Sequence, residues 1–126
     1  MHRSRLSTIL IDVPVGEAAT AADFWSRALG VPARPVPEEE QFTSLPGALP
    51  GLVLAVQAVD DQPRYHVDIE SDDVEAETAR LVALGAVEVD RWLECRILRA
   101  PGGHLLCVIP PHSDPETFER HSHVWT

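Results

Sequence analysis

The sequence is short of positive charge. Ten Lys and Arg residues stand against twenty Asp and Glu, for a formal net charge of −10. Such a chain repels polyanions at a distance, so nucleic acid and acidic membrane faces are poor partners for it. It has two cysteines, Cys95 and Cys107, too few for a disulfide framework. Both lie in apolar, strand-like surroundings, and they read as reduced core thiols of a cytoplasmic protein. No apolar run exceeds strand length, far below the roughly 20 residues of a membrane span. The start, "MHRSRLSTILIDVPVGE", is basic, but its apolar run breaks at Asp12, so it reads as a first strand and not as a signal peptide. There is no phosphate-cradling glycine loop, no Ser-His-Asp order and no cofactor fingerprint. What is present is a 44% apolar fraction over 126 residues, enough for one ordinary domain with a real core.

Along the chain, "RLSTILIDV" is rich in β-branched residues and predicts a strand. "PVGEAATAADFWSRALG" follows, with Ala21, Phe24, Trp25 and Ala28 at helical spacing and Gly30 and Pro32 as the stop. The Pro- and Glu-rich stretch after it predicts two short edge strands, near residues 33–37 and 40–45, and "GLVLAVQAV" a third. The "EEE" run there reads as a solvated loop. Then the pattern restarts. "YHVDIE" alternates as a half-buried strand does, with Tyr65, Val67 and Ile69 on one side and His66, Asp68 and Glu70 on the other. "SDDVEAETARLVALG" predicts a helix with Ser71 or Asp72 as N-cap and Val74, Thr78, Leu81 and Leu84 as its buried stripe. "AVEVD", "RWLECRILRA" and "HLLCVIP" predict three more strands, the last after the turn "PGG". The tail has no steady period. Its "HSH" has chelating spacing but reads as solvated.

The chain is therefore a repeat. "SRALGVPA" and "LVALGAVE" each close a helix on Ala-Leu-Gly and lead into a strand. One domain over 1–126 is expected, built from a βαβββ unit at about 5–59, a second at about 64–110, and a tail at 111–126. The fold class is α+β. One unit cannot cover both faces of its sheet, whereas two can share one.

"AADFWSRALGV", "YHVDIESDDVEAETARLVALGA" and "APGGHLLCVIPP" carry a resemblance. The pattern resembles the vicinal oxygen chelate superfamily, which includes glyoxalase I, extradiol dioxygenases and the bleomycin- and fosfomycin-resistance proteins, and most of all its glyoxalase-like branch. The resemblance implies tandem βαβββ units in a curved, cup-like mixed sheet with helices outside. It also implies a homodimer. On that expectation the cup is lined by Thr8, Asp12, Gln57, His66, Asp68, Trp92, Glu94 and Cys107, polar groups in an apolar wall that suit a small organic ligand. Trp92, Glu94 and Arg96 are expected on one face of a single strand.

Metal-using relatives take ligands from the first, fifth and eighth strands. Mapped one at a time, these fall on Thr8, His66 and Cys107. Thr8 is a poor ligand and Cys107 an unusual one, so no cofactor is expected; a divalent ion, if held, would use His66 with Cys107. Asp68 is two residues from His66, with Cβ atoms about 7 Å apart, an awkward spacing for chelation. Asp68 stands where it can orient His66, although a structural hydrogen bond is the commoner outcome for such a pair; the two are the candidate catalytic residues. Three readings follow. One is a metal-independent binding protein, with drug sequestration as a subtype. The second is a lyase, isomerase or dioxygenase using an ion. The third is a module that dimerises through its sheet edges.

Overall fold

A computed structural model describes residues 1–126. The elements run β1 (His2–Pro14), a 3₁₀ turn (Val15–Glu17), α1 (Ala18–Leu29), β2 (Arg34–Val36), β3 (Glu39–Ser44), β4 (Val53–Val59), β5 (Arg64–Ser71), α2 (Val74–Ala83), β6 (Val87–Trp92), β7 (Cys95–Arg99), β8 (Leu105–Ile109), α3 (Pro115–His121) and β9 (His123–Trp125). The fold is α+β, with βαβββ occurring twice before α3. Contacts divide the chain into two compact units, Thr8–His66 and Met1–Ser7 with Val67–Thr126.

In the Thr8–His66 unit the strand order is β1-β4-β3-β2; β1 and β4 run parallel and the other pairs antiparallel. In the other unit the order is β5-β8-β7-β6, again with one parallel pair followed by antiparallel ones. First, fourth, third, second: the topology is the same in both halves, which is the structural form of the repeat.

Each unit has its own core because each sheet alternates. Ile11, Val13 and Val56 pack with Leu45 beneath α1, which contributes Ala18, Ala21, Ala22 and Trp25. Gly30, at φ 70, ends α1 in the left-handed conformation that glycine adopts without penalty. Phe24, expected in the buried stripe, is 60% exposed and meets Trp25 edge-on. In the second unit Leu98, Leu106, Val108 and Ala86 pack with Val67, Ile69, Val74 and Leu81. Leu84 is not part of that stripe. It caps the helix and is exposed, because a Schellman closure follows: Gly85 N–H reaches Val82 O and Ala86 N–H reaches Leu81 O. The N-cap of α2 is Asp73, whose carboxylate accepts from Ala76 N–H at 3.0 Å. Asp72 and Ser71, the expected caps, instead bind the backbone of Arg3.

Two further differences matter below. "RWLECRILRA" is not one strand: Leu93 and Glu94 form the turn of a tight hairpin, with Leu93 at φ 54. The segment after β8 is also ordered. Asp114 caps α3 by accepting from Thr117 N–H. β9 then pairs antiparallel with the start of β1, His2 opposite Trp125. The Trp125 indole N–H donates to Ser4 Oγ at 2.8 Å, and the Arg80 guanidinium lies 3.8 Å from the Trp125 ring centre. Arg80 is itself bidentate to buried Glu77, which also accepts from His2. No helix is long and apolar enough to cross a membrane.

Candidate functional site

Within the Thr8–His66 unit, the residues of β1 that do not face α1 are Thr8, Leu10 and Asp12. The register places Val53, Ala55 and Gln57 beside them, and then Phe42 and Ser44. One row thus reads Asp12, Gln57, Phe42. Asp12 has no exposed surface, and Gln57 and Phe42 are half-buried. Strand β5 brings Arg64 and His66, two residues apart and so on one face, to the Asp12 carboxylate. Oδ2 of Asp12 lies 2.6 Å from His66 Nδ1 and accepts from Arg64 Nε at 3.1 Å. Arg64 also binds Asp61. His66 is 9% exposed.

This arrangement fixes the imidazole. An ionised carboxylate on Nδ1 makes that nitrogen the donor, so in the neutral ring Nε2 is the basic atom. Asp12 is therefore the carboxylate that holds His66 at Nδ1. Oδ1 of Asp12 is buried and has no hydrogen-bond partner.

In the second unit the residues facing away from α2 are Asp68 on β5, Cys107 opposite it on β8, Ile97 opposite Cys107, and Cys95 with its partner Trp92. A carboxylate oxygen of Asp68 and Sγ of Cys107 lie within 4.8 Å. Burial pushes the Cys95 thiol up, and the charges of Asp68 and then Glu94 push it further, so Cys95 is held as an unreactive thiol. The turn at Leu93 and Glu94 changes the parity assumed from sequence. Trp92, 58% exposed, pairs with Cys95, whereas Arg96 shares the opposite face with Leu98. Glu94 and Arg96 line a groove of about 420 Å³ with Ser71, Val74 and Pro110 on the α2 side. They do not share a face with Trp92.

Glu70 follows Asp68 in the alternation but lines no opening. It is fully buried. Its Oε2 accepts from Arg5 Nη1 at 2.9 Å and from Ser113 Oγ at 2.5 Å, and its Oε1 from the backbone N–H groups of His112 (3.0 Å) and Ser113 (3.2 Å). Burial pushes its carboxyl up. The Ser113 hydroxyl, the two backbone donors and the His112 charge together outweigh that and hold it below the ordinary glutamate value. Of Tyr65, Val67 and Ile69, the last two pack in the core as expected, but Tyr65 is 64% exposed.

Arg64 is the site residue that sequence reasoning passed over. Its signal was available, since it precedes His66 by one full pleat. The partnership with Asp12 was not, because 52 residues separate them.

A model of the glyoxalase-like domain family matches residues 8–109. No curated protein matches the chain. Several solved structures share the fold. A hypothetical protein of Bacillus halodurans is 11% identical, over 88% of this chain and 96% of that one, with a TM-score of 0.62. The methylmalonyl-CoA epimerase of Mycobacterium tuberculosis is 18% identical, over 86% and 88%, with a TM-score of 0.55. A methylmalonyl-CoA epimerase crystallised with methylmalonyl-CoA and NH4+ is 15% identical, over 87% and 96%, with a TM-score of 0.58. At these identities the likeness shows the fold alone.

Proposed function

Because the chain belongs to the glyoxalase-like domain family of the vicinal oxygen chelate superfamily, we propose that it binds a small organic molecule on the face that carries Asp12, Gln57 and His66. His66 accepts a hydrogen bond or a proton from that molecule. One observation carries the reading: a fully buried carboxylate 2.6 Å from Nδ1 of a nearly buried imidazole. Such a pairing sets the tautomer, leaves Nε2 as the accepting atom and costs no reorganisation when a ligand arrives. Asp12 is the positioning group and His66 the group that meets the ligand.

A second reading is favoured by the Asp68 carboxylate beside Cys107. Carboxylate and thiolate are both zinc ligands. Asp68 and Cys107 would supply two ligands to a divalent ion, which would polarise a ligand oxygen. Asp12 would not be a ligand through Oδ2, which already takes two donors. Thr8 offers only a hydroxyl.

The test is a binding screen of the purified protein against phenols, carboxylic acids and acyl thioesters, with metal content measured on the same sample. The first reading expects binding at a metal content near zero that is lost in His66→Ala. Stoichiometric metal lost in Cys107→Ala and Asp68→Ala selects the second. Binding that is unchanged in His66→Ala counts against the first. Pairing of two copies is a separate proposal, resting on the open edge of β6 and its exposed Val87 and Trp92; a monomeric mass in solution at micromolar concentration removes it.

A further inference from the structure

The Asp12 carboxylate is used at one oxygen and idle at the other. Oδ2 serves both His66 and Arg64, while Oδ1, equally buried, has no hydrogen-bond partner. Buried polar atoms are nearly always satisfied, and an ionised acceptor left idle out of water is costly. The atom does not sit in the apolar core beneath α1. It belongs to the opposite face, in the row with Gln57 and Phe42.

We propose that Oδ1 of Asp12 is the anchor for a hydrogen-bond donor on the ligand. The ligand class is then a small molecule that places an O–H or N–H group against Asp12 and a flat apolar portion along the row towards Phe42, with Gln57 between them as a second polar contact. This rests on the reading that His66 and Asp12 belong to a ligand face, and it adds the polarity of the ligand group. A bare acceptor such as an ether or ester oxygen is repelled by Oδ1. A hydroxyl or amide N–H is bound there by a charge-assisted hydrogen bond, one of the stronger kinds.

Asp12→Asn tests it with little change of shape. Arg64 Nε and His66 Nδ1 require an oxygen where Oδ2 stands, so the amide NH2 falls at the Oδ1 position. The idle acceptor becomes a donor. The probes are phenol and its methyl ether, anisole, titrated by ligand-observed NMR into the wild type, Asp12→Asn and His66→Ala. Phenol is expected to bind the wild type at least about tenfold more tightly than anisole, and Asp12→Asn to abolish or invert that preference. Equal binding of both probes, or a preference that survives in Asp12→Asn, overturns the proposal. If such binding still depends on His66, the parent reading stands; if neither probe binds the wild type, both fall. Should Asp12→Asn not fold, a crystal of the wild type with phenol decides. The phenol oxygen within hydrogen-bond reach of Oδ1 supports the anchor, and an ordered water that phenol does not displace overturns it.

Discussion

Glu70→Gln is the most informative single change for stability. It removes one charge and almost no volume from a site with no exposed surface. The loss can be worked from the geometry. Each carboxylate oxygen accepts two donors, Arg5 and Ser113 Oγ on one side and two backbone N–H groups on the other. An amide has one acceptor end. Its NH2 must face either the paired backbone N–H groups or the Arg5 and Ser113 donors, so two hydrogen bonds are lost and Arg5 loses its buried counter-charge. Removing one partner of a buried ion pair costs about 3–5 kcal/mol. For 126 residues, the unfolding entropy near the midpoint is about 0.26 kcal/mol/K, so Tm should fall by roughly 12–19 °C. Thermal melts at pH 7 measure this, with Ser113→Ala as a milder control. The pH dependence has a definite sign. The Glu70 carboxyl is held below its ordinary value in the fold, so its contribution is fully present above the unfolded glutamate pKa of about 4.3 and is lost as pH falls through the folded value. The gap in Tm between wild type and Glu70→Gln should therefore narrow between pH 6 and pH 3. A gap at pH 7 below about 4 °C, which is roughly 1 kcal/mol, or one that widens in acid, would refute the reasoning.

Three smaller perturbations test other parts of the structure. Asp73→Ala removes the cap of α2 and should cost about 1 kcal/mol by urea unfolding, whereas Asp72→Ala, which leaves the cap intact, should not weaken helix capping. Leu93→Gly should gain about 0.5–1 kcal/mol, since the left-handed backbone at φ 54 costs a side-chain residue about 1–2 kcal/mol and glycine returns part of that as unfolded-state entropy; a loss of stability would show that the exposed leucine packs in solution. Trp125→Ala removes the indole bond to Ser4 and the ring beneath Arg80. It should cost about 2 kcal/mol and speed hydrogen exchange at the paired amides of β1 and β9.

The two-unit plan was legible because it is written in period and punctuation. Alternation at Val67 and Ile69 and the Ala-Leu-Gly closures at Gly30 and Gly85 are local signals, and the structure uses them as such. The hairpin at Leu93 and Glu94 was not legible, because neither residue is a usual turn former. Missing it reversed the faces assigned along β7 relative to Trp92. The last segment failed for a different reason. A helix of seven residues and a strand of three are shorter than any window in which a period can be seen, and their stability comes from distant partners such as Ser4 and Arg80. The site shows the same limit. His66 stood out by its neighbours on β5. Its Nδ1 partner, Asp12, is on another strand and far away in sequence, where alternation along β5 gives no sign of it.

The short strand β9 has an engineering consequence. Because Trp125 lies opposite His2, the first and last backbone segments are already neighbours, and a few flexible residues would bridge them. A circularly permuted chain, closed there and reopened in the exposed 60–63 turn, would keep every strand pairing of both units.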